Sequence, residues 1–222
     1  MGPTIDELTI ADPPEAWRDA GFDVDGDSFA VGSVVVRLAG PDDGRGIVGC
    51  RMRDVAVEGA DGVSASGIDG LPVTLSDSPP RDAVEHVHPN GVQTLDHLVA
   101  FTPSLERTVQ ALEQAGLDLR RIREEPTPGG APRQAFFRLA EVILEVVEVP
   151  PGSREERNPD APSRFWGLAF GVDDLDRCAA YLGDRMGEPR DAVQPGRRIA
   201  TLRREAGLSP GIAFMTPAPA RT

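Results

Sequence analysis

The sequence predicts an α+β fold built from repeated βαβββ modules. Between residues 95 and 149 a strand, a helix and three further strands follow one another. Residues 16–24 align with residues 111–119 as the end of a helix, a glycine and the start of a strand. The Leu-Glu-Arg of residues 105–107 recurs as Leu-Asp-Arg at 175–177, ahead of a third set of strands. Self-similarity of this kind indicates a repeated structural unit.

The central module has the clearest pattern. Its first strand is predicted over residues 95–102, which are mostly apolar. The helix predicted over residues 104–115 has Leu105, Val109 and Leu112 at the spacing of one buried face. The remaining strands of this module are predicted over residues 117–122, 133–139 and 142–149.

The same order of elements is predicted in the two flanking regions. A short helix ends before the glycine at position 21 in the first region, and a longer one extends to about residue 186 in the third. The strands are predicted over residues 5–11, 29–31, 33–38 and 46–57, and over residues 167–172, 197–202 and 211–215.

The domain organisation follows from these repeats and from the composition between them. The segment before the central module is rich in Gly, Asp, Ser and Pro, and it holds one extra strand or hairpin at residues 68–75. The prediction is an N-terminal βαβββ-like module at 1–57, a connector at 58–92, a central module at 93–150, a loop at 151–163 and a C-terminal module at 164–218.

Composition limits the function classes. The net charge of −13, with no basic stripe, argues against a nucleic-acid partner. No apolar run approaches the roughly 20 residues that a membrane span needs, and the first residues lack the features of a secretion signal. We therefore expect a cytoplasmic protein without a membrane partner. All 23 basic residues are Arg, which excludes Schiff-base chemistry by a lysine of this chain.

Two cysteines in such a protein make a disulfide framework improbable. Cys178 occupies a helix-like position, and we interpret it as a small buried apolar residue. A Cys/His nucleophile would need a nearby base, which the local sequence does not supply.

His97 and Glu145 are the best-placed pair of residues of the type that binds metals. His97 lies in the first strand of the central module, as a ligand or as a hydrogen-bonded core histidine. Glu145 lies in an apolar strand, where an inward carboxylate is costly unless it is protonated or ionised beside a metal or an arginine. Arg133 or Arg138 could supply that arginine, or Glu145 faces solvent.

Three further residues are candidates for substrate binding. Arg133, near the start of a strand, would anchor an anionic group or form a surface salt bridge. Trp166 would pack in the core or stack on a ligand. His88 shares one face of an extended segment with His86, so the pair would bind a metal or belong to a solvated connector.

The central stretch resembles the vicinal oxygen chelate superfamily, which includes glyoxalases, bleomycin-resistance proteins and extradiol dioxygenases. The resemblance is carried by Leu-Asp-His-Leu-Val-Ala-Phe at 95–101, Leu-Glu-Arg at 105–107 and Val-Ile-Leu-Glu-Val-Val at 142–147. His-Pro-Asn-Gly-Val at 88–92 is similar to a segment that precedes the second module in such proteins. The resemblance implies a glyoxalase-like fold, in which βαβββ modules pair into cupped mixed β-sheets.

The resemblance also implies a site. Family metal ligands lie in the first and last strands of each paired module, which gives His97 and Glu145 here. The matching positions of the third module are Gly167 and Ala213, and neither can bind a metal through its side chain. A divalent metal would thus have two protein ligands, with Glu145 as ligand or catalytic base.

Two functions stay open at this point. The first is a divalent-metal-dependent lyase or isomerase of the glyoxalase type, acting on a small oxygenated metabolite, with substrate contacts from Arg133, Trp166 and His88. The alternative is a metal-free protein that binds or sequesters a small organic molecule without catalysis. An odd number of modules leaves one sheet edge unpaired, which favours a homodimer.

Overall fold

The computed structural model of the chain describes residues 2–56, 67–127, 130–153 and 158–217. Three α-helices lie within these residues: α1 (Pro14–Asp19), α2 (Leu105–Gln114) and α3 (Leu175–Leu182). The strands are β1 (Thr4–Ile10), β2 (Ser28–Val31), β3 (Val34–Leu38), β4 (Ile47–Arg53), β5 (Val73–Leu75), β6 (Val92–Thr102), β7 (Asp118–Arg123), β8 (Gln134–Leu139), β9 (Val142–Glu148), β10 (Arg164–Val172), β11 (Arg190–Asp191), β12 (Arg198–Thr201) and β13 (Gly211–Met215).

The predicted α+β fold class is confirmed. The strands form two mixed β-sheets, one of five strands from β1 to β5 and one of eight strands from β6 to β13. The order strand, helix, three strands occurs three times along the chain, as the repeats predict. No helix in the described part of the chain is long and apolar enough to cross a membrane.

Most element boundaries fall within a few residues of the predictions, with instructive exceptions. Strand β4 ends at Arg53, short of the predicted residue 57, which lies outside the described residues. Helix α3 ends at Leu182 rather than near residue 186, because Gly183 leaves the helix with a φ of 57° and a short 3-10 turn follows. The domain boundaries stay a prediction, and residues 58–66 of the connector and 154–157 of the loop also lie outside the described residues.

The chain folds into two compact units, each assembled from separate segments. The first comprises residues 1–6, 49–80 and 97–166. In it β6 and β9 run parallel, and β9, β8 and β7 follow as antiparallel neighbours. Helix α2 packs on one face of these strands and buries Leu105, Val109 and Leu112, the residues predicted from its periodicity. Strand β5 of the connector pairs with β4 in the same unit.

The second unit comprises residues 7–48, 81–96 and 167–222. Strand β1 runs parallel to β3, which pairs with β2, and β10 runs parallel to β13, followed by β12 and β11. Its core includes Trp17, which has no exposed surface and whose Nε1 donates a hydrogen bond to Asp12. Trp17 is therefore a packing residue, and its aromatic neighbours are Phe22, Phe29 and Phe170.

Both cysteines are free and buried, as the interpretation of Cys178 requires. Burial raises the pKa of the Cys178 thiol to about 12, and it also raises the pKa of Cys50. Neither thiol is thus ionised near neutral pH, as a nucleophile would need.

Candidate functional site

The register of β6 and β9 places His97 and Glu145 on one face of the sheet. His97 is opposite Ile143, and Val99 is opposite Glu145. Residues opposite one another in a parallel pair point to the same side, and residues two apart along a strand do so too. His97 and Glu145 are therefore diagonal neighbours, with Cα atoms about 8 Å apart for ideal strand spacing.

The two faces of the β6–β9–β8–β7 strands differ in exposure. On the face covered by α2, residues of three strands are fully buried: Leu98, Ala100, Ala135, Phe137, Leu144 and Val146 all have no exposed surface. On the opposite face, Glu145, Val99, Phe101, Phe136 and Ile143 are only half-buried. We call this second, more exposed surface the polar face, although its members His97, Gln134 and Val147 are themselves buried. Its members are His97, Val99 and Phe101 of β6; Ile143, Glu145 and Val147 of β9; Gln134, Phe136 and Arg138 of β8; and Arg121 and Arg123 of β7.

Glu145 is oriented from the neighbouring strand. Gln134, itself buried, donates a hydrogen bond from Nε2 to the Glu145 carboxylate. Burial raises the pKa of Glu145, while the nearby charge of His97, this hydrogen bond and the charge of Arg123 act in the opposite direction. A carboxyl group with a raised pKa, held in place but reachable from solvent, is suited to accept and return protons.

The arginine beside Glu145 is not the one that the sequence suggested. Arg123 of β7 lies opposite Gln134 on the polar face and acts electrostatically on Glu145, whereas neither Arg133 nor Arg138 does so. Arg138 shares the polar face but is exposed. The proposed ion pair of Glu145 with Arg133 or Arg138 is therefore wrong.

Arg133 lies on the α2 side of the sheet, in a network of its own. Its guanidinium donates to Glu148 over 2.7 Å and 2.9 Å and also pairs with Glu106 of α2. These two carboxylates raise the pKa of Arg133, and the pKa of Glu106 is lowered in return. Arg133 therefore forms salt bridges, which was one of its two predicted roles. One partner, Glu148, is mostly buried and not at the surface.

His88 is a core residue of the second unit. Its side chain is only 2% exposed, so the expectation of a solvated connector is wrong at this position. The backbone N–H of Asp23 donates to Nδ1 over 3.0 Å, and Nε2 lies 3.1 Å from the carbonyl oxygen of Ala30, to which it donates. Both ring nitrogens are thus engaged, and the rings of Phe22 and Phe29 pack beside them.

Trp166, unlike Trp17, is accessible. It stacks on Phe101 of the polar face with ring centroids 5.0 Å apart and an interplanar angle of 23°, yet it is 42% exposed. The guanidinium carbon of Arg164 lies 5.3 Å from the centroid of the same Phe101 ring. Part of the Trp166 ring is thus left uncovered by the stack.

The residues at the metal positions that the sequence resemblance implies do not fit a closed divalent-metal site. In the second unit Gly167 lies opposite Gly211 and Ala169 opposite Ala213, which is the same register relationship as His97 with Ile143 and Val99 with Glu145. Gly167 and Ala213 thus correspond to His97 and Glu145 but carry no donor atom. Among the described residues no group of three or more His, Cys, Asp or Glu side chains could hold a metal ion. Divalent ions usually take more protein ligands than the two offered here.

Sequence reasoning missed Gln134 and Arg123. Gln134 lies near the start of one predicted strand and Arg123 just past the end of another, and only the pairing of β7, β8 and β9 brings them beside Glu145. The one available signal was alternation: Gln134 and Phe136 are two residues apart on β8, the strand beside β9, and Arg121 and Arg123 are two residues apart on β7, one strand further out.

No protein-family model matches the sequence, and no curated protein matches it. Among solved structures, methylmalonyl-CoA epimerase from Mycobacterium tuberculosis is similar at 20% identity over 58% of this chain and 91% of that one, with a TM-score of 0.48. A Streptomyces coelicolor methylmalonyl-CoA epimerase variant in complex with 2-nitronate-propionyl-CoA is similar at 21% identity over 59% of this chain and 99% of that one, with a TM-score of 0.47. A methylmalonyl-CoA epimerase in complex with methylmalonyl-CoA and NH4+ is similar at 21% identity over 58% and 96% of the two chains, with a TM-score of 0.46.

Methylmalonyl-CoA epimerases belong to the vicinal oxygen chelate superfamily. With TM-scores below 0.5, these similarities assign no ligand to the present chain.

Proposed function

We propose that this protein binds a small oxygenated metabolite on the polar face and catalyses a proton transfer on it, as an isomerase or lyase. Glu145 is the acid–base group, and His97 and Arg123 stabilise the charge that develops. The observation that carries the proposal is the setting of Glu145: a half-buried carboxylate, held by Gln134, on a face that solvent reaches.

In the proposed reaction Glu145 takes a proton from a carbon next to a carbonyl group. The electron pair of the broken C–H bond moves onto the carbonyl oxygen and forms an enolate. An N–H group of His97 and the guanidinium of Arg123 are suited to stabilise this oxygen, because fixed donors in a partly water-excluded site act strongly on developing charge. Return of the proton to a neighbouring atom isomerises the substrate, whereas expulsion of a leaving group by the enolate is a lyase reaction.

The metal-dependent form of the reaction has weaker support. Because two of the four family positions carry no donor atom, no step is routed through a metal here. His97 and Glu145 are the residues that would hold a divalent ion, which would polarise the carbonyl when bound.

The alternative is binding or sequestration without catalysis. The donor-free residues Gly167 and Ala213 favour it, because a protein that only binds its ligand has no need of metal ligands at these positions.

Substrate contacts from His88 have no support, since both of its ring nitrogens are engaged in the core.

Exchange of substrate protons for deuterium tests the proposal. A panel of small ketones, aldehydes and oxo acids is incubated in D2O with the wild type, and loss of the proton next to the carbonyl is followed by NMR. We expect Glu145→Gln to lower the exchange rate by about a hundredfold or more, since general acid–base catalysis contributes about 10²–10⁴. Exchange that is unchanged in Glu145→Gln refutes the proposed role, and binding without exchange in the wild type supports the alternative.

The homodimer and the cytoplasmic location stay predictions. Light scattering at tens of micromolar protein checks the first, and a monomer mass would contradict it.

A further inference from the structure

We propose that Arg121 binds the carboxylate of a ligand on the polar face, so that the substrates are small oxo acids. This inference rests on the proposed function, because it names the substrate class for the site around Glu145. The acid lies over Phe136, with its carboxylate at Arg121 and its reacting carbon at Glu145.

The strand register places these three residues in one line across the sheet. Phe136 of β8 lies opposite Glu145 of β9, and it also lies opposite Arg121 of β7. Residues directly opposite one another on antiparallel strands share a face of the sheet. Neighbouring strands are about 4.8 Å apart, so the Cα atoms of Glu145 and Arg121 are about 10 Å apart. The half-buried ring of Phe136 lies between them and offers an apolar surface for a short carbon chain.

Arg123 connects β7 with the acid–base group. It lies on the same strand and face as Arg121, and its positive charge acts on the carboxyl group of Glu145 across β8. Arg123 is in the line of Gln134, whereas Arg121 is in the line of Glu145 itself. For regular strand spacing Arg121 therefore starts closer to Glu145 than Arg123 does. The charge of Arg121 does not act on Glu145 in the same way, so the two groups are not paired with each other and a ligand fits between them.

Arg121 has no acidic partner. Its exposed side chain forms no hydrogen bond or ion pair with any residue that the structure describes. On the same strand Arg120 pairs with Asp118 over 2.9 Å, and Arg123 pairs with Glu125 over 3.4 Å. A guanidinium without a partner has its N–H groups available for two parallel hydrogen bonds to the carboxylate of a ligand.

The charge of the chain makes this position informative. A net charge of −13 repels anionic ligands over most of the surface. A ligand carboxylate close to Glu145 would be repelled by that side chain as well. Arg121 and Arg123 offset both effects at the one place where the proposed reaction needs the ligand.

Protection of the sheet edge is the competing explanation for these arginines. Strand β7 is the last strand of its sheet, and charged side chains on edge strands hinder association with other chains. That role does not depend on the line shared by Arg121 and Glu145, and Arg120 at the bulge of the same strand serves it equally well. Arg138, also on the polar face, lies opposite Asp118, so an acid of the protein already lies beside it.

4-Oxopentanoate and hexane-2,5-dione form a matched pair of probes. Both are methyl ketones with the same short carbon chain, which ends in a carboxylate in the first and in a neutral acetyl group in the second. Binding is measured by saturation-transfer NMR. Deuterium exchange of the protons next to the ketone is followed in D2O in the same samples.

Four variants separate the possible causes. Arg121→Gln removes the proposed anchor. Arg120→Gln is the matched control, because it removes the same charge from the adjacent position of the same strand. Arg121→Lys keeps the charge but not the paired hydrogen bonds of a guanidinium. Glu145→Gln tests whether exchange depends on the acid–base group.

We expect the wild type to bind 4-oxopentanoate about tenfold more tightly than hexane-2,5-dione, as a hydrogen-bonded pair of charged groups contributes. Arg121→Gln should lose this preference, Arg120→Gln should keep it, and Arg121→Lys should keep part of it. In the wild type the preference should shrink as salt is added, because the pair is partly exposed.

Equal binding of the two ketones, no binding of either, or a preference that survives in Arg121→Gln overturns the subsite. An equal loss in Arg120→Gln shows a general effect of charge and overturns it too. Glu145-dependent exchange without a preference for the acid refutes the subsite alone. Arg121-dependent binding without any exchange refutes the catalytic proposal and leaves the carboxylate subsite supported.

Discussion

Gln134 lies diagonally across β8 and β9 from Glu145, and its side-chain amide donates a hydrogen bond to the Glu145 carboxylate. A carboxylate on a flexible side chain is a poor base unless something holds it, and Gln134 is the neighbour that does so. The register of β8 and β9 therefore determines which side chain orients Glu145. We regard Gln134 as a positioning residue for Glu145.

Replacing Gln134 with Leu tests this role. The variant should lower the maximal rate of Glu145-dependent proton exchange by about tenfold, the equivalent of one hydrogen bond to a charged group, with little change in the ligand concentration at half-maximal rate. Because the hydrogen bond lowers the Glu145 pKa, the rate should also reach its plateau at higher pH in the variant. Exchange is measured by NMR as a function of pH and ligand concentration. Arg138→Gln, on the same strand and face, is the control, and an equal loss there would contradict a specific role for Gln134.

Arg133 should matter for stability and not for ligand binding. Arg133→Met removes hydrogen bonds to Glu148 and Glu106 on the α2 side of the sheet, and we expect it to lower the free energy of unfolding by about 1 kcal/mol. Urea denaturation measures the change. Arg138→Met, for which the structure shows no ion pair among the described residues, should change stability by less than about 0.5 kcal/mol. Weaker ligand binding at unchanged stability in Arg133→Met would restore Arg133 as a substrate contact.

His88 should make stability depend on pH. Burial and the neighbouring His86 lower the pKa of His88, against the opposing effects of the Ala30 carbonyl and Asp23. The folded state thus favours the neutral ring. This stabilisation is complete above the usual histidine pKa of about 6.5 and is lost as the pH falls through the lowered pKa of the folded state.

His88→Gln should therefore be less stable than the wild type at pH 7.5, by about 1–3 kcal/mol for a disrupted pair of buried hydrogen bonds. The difference in the free energy of unfolding between the wild type and His88→Gln should narrow as the pH falls below about 6. Thermal or urea unfolding across this pH range measures both effects. His86→Gln is the comparison, because His86 is half-exposed, pairs with Asp23 and packs edge-on against the His88 ring, so its replacement should cost less stability while the buried His88 stays in place. A constant difference at all pH values would contradict the neutral buried histidine.

Divalent metal binding at His97 and Glu145 should be weak. With two protein ligands, an ion keeps water in its other positions and is lost during purification. Titration calorimetry with manganese, nickel and zinc should show weak binding to the wild type that disappears in His97→Ala and Glu145→Ala and persists in His86→Ala. Tight binding with one ion per chain would show that the site holds further ligands, and binding unchanged in both Ala variants would place the metal elsewhere.

Periodicity predicted the central module well because β6, β8, β9 and α2 each bury one apolar face, whereas β7 is largely exposed. The five elements from β6 to β9 lie within a few residues of their predicted positions. Strand β6 begins earlier than predicted, at Val92, where Gln93 and Thr94 interrupt the apolar pattern but the backbone stays extended. Strand β11 was not predicted, since a two-residue strand exists only through its pairing with β12.

The site was less predictable than the fold, because its partners are distant in sequence and meet only after the strands pair. His97 and Glu145 could be proposed from a family resemblance, but Gln134 and Arg123 depend on register. His88 was misjudged for a related reason: its surroundings come from Phe22 and Phe29, about sixty residues earlier, and nothing near position 88 shows that it is buried.

Gly167 leaves no room for a side chain in the third module. A β-carbon at this position would lie 2.3 Å from the carbonyl oxygen of Gly211, in backbone that cannot yield without moving β13. A Gly167→His substitution, which would place a histidine at the position that corresponds to His97, therefore requires a shift of the paired strand. A further metal ligand cannot be introduced at this position by exchanging one residue alone. An engineered four-ligand site in this protein would have to move β13 or take its extra donor from another strand.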